Sequence, residues 1–179
     1  MAELEGKVAI VTGSGRCIGK AVAKVFAREG AKVVVASRTP ATVEAVAQEI
    51  RDEGHTALSV PTDVSQKDQI LAMVATTVEH YGTVDILINN AGITRDNILV
   101  RMKEDEWDEI IDTNLSSVYK MSKAVLRGMI RLIHVARADG NNYEMNPRMK
   151  TYFEDRVGLD PKQVQYVMDL SARIAKRVK

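Results

Sequence analysis

The stretch Thr12-Gly13-Ser14-Gly15-Arg16-Cys17-Ile18-Gly19 follows an apolar run, Val8 to Val11, and leads straight into a helical pattern. Such a turn aims successive backbone N–H groups and the positive end of a helix at one point, an arrangement that holds a phosphate. Gly13 permits the tight turn, Gly15 adds backbone freedom, and Gly19 lets the helix approach the strand closely. A glycine-rich turn by itself is often only a turn. Between the first strand and first helix of a β-α-β unit it points to a dinucleotide. A second apolar run ends in Ala36-Ser37-Arg38, where an NAD-selective site offers a carboxylate to the ribose diol. Arg38 at that place, with Arg16 in the turn, favours a 2′-phosphate and so NADP(H). The competing reading of either arginine is a solvated surface charge.

These residues need a scaffold, and the hydrophobic pattern supplies one. Short β-branched runs alternate with longer amphipathic stretches, the pattern of strand and crossover helix in a parallel sheet. Strands are expected at Val8 to Val11, Lys32 to Ala36, Ala57 to Val60 and Val84 to Ile88, with near-continuous apolar character that implies burial on both faces. Apolar faces Ala21-Val22-Val25-Phe26, Val43-Val46-Ala47-Ile50 and Ile70-Met73-Val74-Val78 predict three helices, closed by Gly30, Gly54 and Gly82. A longer helix is expected from about Glu104 to Ile130, with Trp107, Ile110, Ile111, Leu115, Val118, Met121, Val125 and Met129 on one stripe. Beyond it, Asn146-Pro147 and Asp160-Pro161 mark helix starts and Gly158 a stop, an αα-hairpin whose second helix carries Val164, Val167, Met168, Ser171, Ile174 and Val178 on one face. The fold class is therefore α/β: a Rossmann-type doubly wound parallel sheet, truncated, with a C-terminal helical hairpin. Residues 1–136 form the nucleotide-binding half-domain and residues 137–179 the tail, which packs on its own domain or recruits a partner.

Composition narrows the function. The chain has 179 residues, 45% hydrophobic and 27% charged, which suits one folded domain and excludes a disordered or collagenous chain. A net charge of +1 and 4% aromatics supply neither the electrostatic attraction nor the stacking platform of a nucleic-acid binder. Residues 131–179 are locally cationic, with 10 basic and 6 acidic residues. The single cysteine, Cys17, suits a reducing compartment, so the cytoplasm is expected. No run of 18 apolar residues predicts a membrane span. No metal-ligating cluster can be assembled from the sequence.

Taken together, Thr12-Gly13 through Ile18-Gly19, Asp63-Val64, Asn89-Asn90-Ala91-Gly92 and Asn114 resemble the short-chain dehydrogenases/reductases. Asn89 to Ile130 is most similar to the bacterial 3-oxoacyl-[acyl-carrier-protein] reductases, and the resemblance covers roughly residues 3–131. It implies that Asp63 hydrogen-bonds the adenine, that Val64 packs near it, and that Asn90, Ala91 and Gly92 line the cofactor. It also implies that Asn114 anchors a proton-relay water, the one catalytic role assigned. The Asn-Asn-Ala-Gly turn has a structural reading too, as a brace for the central strands. An acyl thioester or related carbonyl is the implied substrate, and a homo-oligomer is possible on the family pattern.

Two departures stand out. Cys17 replaces the middle glycine of the family's turn, placing a side chain toward the pyrophosphate path; it is either a small residue filling the turn or a redox-sensitive thiol. The family's catalytic serine, and the tyrosine with a lysine four residues later, cannot be identified. Arg131 to Ala136 resembles the family's fifth strand, yet Arg137 and Ala138 occupy the place of the serine, and Pro147 stands where Asn142-Tyr143 would need its lysine. Tyr119 and Lys123 have the right spacing but fall on the helix after Asn114, and His134 reads as a strand residue. The expectation is an NADP(H)-binding oxidoreductase fold with impaired reduction of a 3-oxoacyl thioester. The alternative is a non-catalytic nucleotide-binding or scaffold module.

Overall fold

A computed structural model describes residues 2–133 of the chain. The strands are β1 (Val8–Thr12), β2 (Lys32–Ala36), β3 (Ala57–Ser59) and β4 (Ile86–Ile88). They alternate with α1 (Cys17–Arg28), α2 (Pro40–Asp52) and α3 (Lys67–Tyr81). All pairings are parallel and the order is β3-β2-β1-β4, with Ile10 in register with Val34 on one side and Leu87 on the other. This is the Rossmann-type doubly wound sheet that the alternating pattern predicts, and the strand order reverses between β1 and β4. The compact unit that carries it runs to Val125, within the last helix, and a second unit begins at Leu126.

Burial follows position in the sheet. Every residue of β1 and Val33 to Ala36 of β2 are buried, as near-continuous apolar strands require. The expectation of burial on both faces fails for β3 and β4, where Leu58, Ser59 and all of Ile86 to Ile88 are only half-buried. Those strands lie at the ends of the described sheet, where neighbours cover less of them. They are also shorter than expected: Val60 lies outside β3, and Val84 and Asp85 outside β4.

The helix faces need correction as well. On α1 the buried line is Gly19, Ala23 and Ala27, while Val25 is exposed and Val22 and Phe26 are half-buried. Small residues at i, i+4, i+8 let the helix axis lie close to the sheet, so the larger side chains spread to the flanks. On α2 the expected Val43, Val46, Ala47 and Ile50 are all buried. On α3 Thr77 takes the place in the core expected of Val78. Gly30, Gly54 and Gly82 follow these helices with φ of +88°, +85° and +83°, the left-handed conformation anticipated for them.

The long helix is not continuous. It comprises α4 (Glu104–Ile111), a π-helical segment (Asp112–Ser116) and α5 (Ser117–Ile133), preceded by a 3₁₀ turn at Leu99–Arg101. The π turn closes over an extra residue and shifts the register, which breaks the predicted stripe: Met121 and Val125 are buried, whereas Trp107, Leu115 and Val118 are exposed. Arg131 to Ile133 continue α5 rather than starting a fifth strand, because extending a formed helix adds a local hydrogen bond for each residue fixed. His134 to Ala136, Tyr143 and the expected helical hairpin lie outside the described residues. Among the described residues no helix is long and apolar enough to cross a membrane.

An ionic seam joins α1 to α2. Lys20 and Lys24 pair with Glu49 at 2.7 and 3.2 Å, and Lys24 and Arg28 pair with Glu53 at 2.6 and 3.1 Å. Hydrogen bonds from Lys20 and then Lys24 hold the Glu49 carboxyl below its ordinary value, and Lys24 does the same for Glu53. A carboxylate with a depressed folded-state pKa stabilises above its unfolded value of about 4.5, and that contribution is lost as pH falls through the lowered value. Lys24→Ala is therefore expected to flatten the acid limb of stability, measured as the urea midpoint between about pH 6 and about pH 3. An unchanged acid limb would contradict this account of the seam.

Candidate functional site

The site is built at the carboxyl ends of the strands. Thr12 closes β1, and its buried hydroxyl donates to the Ile88 carbonyl at 3.1 Å while accepting the N–H groups of Asn90 and Ala91 at 3.0 and 3.1 Å. Ser14, fully buried, donates to the Val11 carbonyl at 2.6 Å and accepts the Ala36 N–H at 2.9 Å. Neither side chain lines the cleft above them. Both residues join the ends of β1, β2 and β4 into one floor, and the Asn90 amide adds a bond to the Thr12 carbonyl at 3.0 Å.

The cleft on that floor has a volume of about 390 Å³. Of the residues singled out from the sequence, Gly13, Gly15, Arg16, Cys17, Ile18, Gly19, Ser37, Arg38, Asp63, Val64, Asn90, Ala91 and Gly92 line it. Gly13 has φ +67°, and a Cβ there would lie 2.8 Å from the Ala91 Cα. A Cβ on Gly19 would collide with the Gly13 carbonyl oxygen and stand 2.5 Å from the Asn90 amide nitrogen, so the close approach of helix to turn demands glycine. Gly15 is glycine for room rather than for backbone freedom: a Cβ would meet the Ser37 and Thr42 hydroxyls at 2.6 and 2.7 Å.

Electrostatically the cleft is prepared for an anion. The amino ends of α1 and α2 both open onto it, neither has a side-chain cap, and neither carries an acidic residue in its first turn. Arg16 and Arg38 are exposed at its wall, and no hydrogen bond or ion pair is found for their guanidinium groups among the described residues. Asp63 is the cleft's carboxylate; its Oδ1 accepts the Ser65 N–H and hydroxyl at 2.9 and 2.8 Å, while its Oδ2 has no such partner among the described residues.

Asn114 sits in the π segment and is tied to the loop after β4. Its Oδ1 accepts the Ile93 N–H and its Nδ2 donates to the Ile93 carbonyl, both at 2.8 Å. Each amide atom keeps one further bond for a water. Tyr119 and Lys123 do meet, with the lysine Nζ donating to the phenol oxygen at 3.0 Å and holding the phenol below its ordinary value. They are exposed on α5 and do not line the cleft.

Sequence reasoning missed Thr39, Thr42, Thr62, Ile93 and Thr113, which also line the cleft. Thr39-Pro40 carried a usable signal, a capping residue before a proline at the first helical position, which brings Thr42 onto the first turn of α2. Nothing in the sequence marked Thr113, because its placement depends on the π turn.

A parallel sheet with a cleft at the point where strand order reverses, and a glycine turn at its edge, defines an α/β protein of the Rossmann type. The short chain dehydrogenase family model matches residues 7–141, and the chain belongs to that family. It is 50% identical to a 3-oxoacyl-[acyl-carrier-protein] reductase of Vibrio cholerae over 129 residues, 72% of this chain and 51% of that one. It is 36% identical to the Haemophilus influenzae protein of the same name over 179 residues, 97% of this chain and 70% of that one. It thus spans about half the length of the first of these relatives. Among solved structures, a short-chain type dehydrogenase/reductase from Mycobacterium marinum superposes with a TM-score of 0.70 at 38% identity, over 72% of this chain and 52% of the other. A metagenomic short-chain oxidoreductase in complex with NADP gives a TM-score of 0.69 at 38% identity, over 72% of this chain and 58% of the other.

Cys17 is the one described non-glycine residue with positive φ, +48°, and it is exposed at the cleft. The left-handed region costs an ordinary residue about 1–2 kcal/mol, part of which glycine returns as unfolded-state entropy. Cys17→Gly is expected to stabilise the fold by about 0.5–1 kcal/mol in urea titration and to tighten dinucleotide binding about fivefold. Cys17→Ala, which keeps the strain and removes the sulfur, should not gain the stability. A destabilised Cys17→Gly would overturn this assignment of strain.

Proposed function

We propose that this chain binds NADP(H) in the cleft above β1, β2 and β4, with residues 1–136 as the nucleotide half and residues 137–179 as a helical tail. The observation that carries the reading is the pair of arginines, Arg16 and Arg38, whose side chains have no partner among the described residues, beside two uncapped helix ends where β2 is followed by no acidic residue. In this reading the Gly13–Gly19 turn takes the pyrophosphate, and Ser37 and Arg38 take the 2′-phosphate. Asp63 and Val64 take the adenine, and Asn90 to Gly92 the nicotinamide end. Thr12 and Ser14 serve from beneath, as the floor. The lone cysteine supports a cytoplasmic setting.

The relatives named as 3-oxoacyl-[acyl-carrier-protein] reductases support NADPH-dependent reduction of a 3-oxoacyl thioester as the activity of the lineage. A hydride from the cofactor to the carbonyl carbon leaves an alkoxide that must take up a proton. Asn114 supports a relay water through the spare bonds of its amide but supplies no acidic proton itself. The described residues lining the cleft include no tyrosine and no lysine. On the sequence departures, Arg137 and Ala138 in the place of the serine and Pro147 in that of the lysine, we read the reduction as impaired.

NADPH is expected to bind more tightly than NADH, and Arg38→Ala to remove most of that preference, read by nucleotide fluorescence. Equal affinities, or no loss in the variant, would sink the 2′-phosphate assignment. With saturating NADPH and a 3-oxoacyl thioester, turnover should fall well below the ordinary enzymatic range of about 1 to 1,000 per second. A rate within that range would overturn the reading of impairment.

A further inference from the structure

The loop from Asn89 to Ile98 has neither helix nor strand, and Thr94 to Ile98 are exposed. Nevertheless, Gly92 and Ile93 line the cleft, and Gly92 to Arg95 close a neighbouring space of about 550 Å³ whose opposite wall is Arg16 and Arg38. Such a segment keeps its shape only if side chains from elsewhere hold it. One hold is the Asn114 amide on Ile93, described above. The second lies two residues further on. Arg95 donates from Nε to Glu109 Oε2 at 2.9 Å and from Nη2 to Oε1 at 2.8 Å, with Nη2 also 2.6 Å from Oε2, so both carboxylate oxygens are engaged and orientation is fixed as well as distance.

Charge tells what this second hold does. Glu109 matches the charge of Arg95, whereas Arg16 and Arg38 across the same space have no partner among the described residues. The loop side of the space is thus neutral and the opposite side cationic, so a phosphate is drawn away from Arg95. Arg95 and its partner act on geometry at the end of the cleft formed by Gly92 and Ile93. We propose that Glu109, acting through Arg95, is a positioning residue for the nicotinamide half of the dinucleotide. This rests on the NADP(H) reading above.

The test uses the full chain with NADPH and with adenosine 2′,5′-bisphosphate, which carries the adenosine and its 2′-phosphate but no nicotinamide. Glu109→Gln and Arg95→Gln change the net charge in opposite directions. Positioning predicts that each weakens NADPH about two- to fivefold, the range of a half-exposed ion pair. It further predicts that the double variant is no worse than either single one, and that the bisphosphate binds all of them equally well. If Arg95 instead contacted a phosphate, Arg95→Gln would weaken binding while Glu109→Gln tightened it, and the proposal would fail. Equal losses for both ligands, accompanied by a lower unfolding midpoint, would show general destabilisation and also overturn it. Amide hydrogen exchange of Gly92 to Asp96 without nucleotide should rise in both single variants. That readout stands even if the wild-type chain binds neither ligand, the result that would defeat the NADP(H) reading instead; unchanged exchange in both variants would overturn the positioning role.

Discussion

The structure depends on how β1 ends. A central strand buried on both faces must stop, turn and enter a helix without leaving backbone groups unsatisfied, and each such group would cost about 1–3 kcal/mol. Two hydroxyls solve this. Thr12 Oγ1 serves one carbonyl and two N–H groups on the β4 side, and Ser14 Oγ serves Val11 and Ala36 on the β1 and β2 side. The three strand ends are thereby held at one level, and the cleft residues that follow β1, β2 and β4 take their positions from it. Thr12 and Ser14 belong to the site because they set its floor, although a ligand above them meets their neighbours.

The helices carry the consequence upward. Gly19, Ala23 and Ala27 put α1 close to the sheet, and that closeness brings the amino end of the helix over the floor. An uncapped helix end exposes N–H groups that must find an acceptor in water or in a ligand. At α1 and α2 no acidic side chain in the first turn competes for them. The ionic seam of Lys20, Lys24 and Arg28 with Glu49 and Glu53 neutralises the flanks of the same two helices, so among the described residues Arg16 and Arg38 are the unmatched cations at the cleft. Cys17 runs against this order. It occupies a left-handed position at the first residue of α1, where glycine would cost least.

What the sequence made legible was whatever rests on local pattern. Lys32 to Ala36 is a strand in both reading and structure because three consecutive valines followed by alanine, between Lys32 and Ser37, leave little choice. The glycine turn was readable because Gly13 and Gly19 are required by contacts within a few residues or by a strand neighbour. The face of α1 was misread because periodicity finds large apolar residues, and here small ones make the contact. Val22, Val25 and Phe26 satisfy the pattern without filling the core. Thr42 and Thr113 escaped notice because a hydroxyl in a helix carries no signal until the tertiary arrangement says what lies opposite.

The π turn is the instructive failure. A stripe drawn from Trp107 to Met129 assumes that each residue advances by the same angle, and on that assumption Glu109 and Asn114, five apart, diverge by roughly 140°. They could not then both serve one loop. Asp112–Ser116 closes over an additional residue, so the advance per residue falls and Asn114 comes round toward the side of Glu109. The same shift that exposes Leu115 and spoils the stripe brings two side chains to Ile93 and Arg95. A break in helical periodicity is costly unless something is gained where it occurs, and here the gain is a loop held at Ile93 and Arg95 beside the cleft.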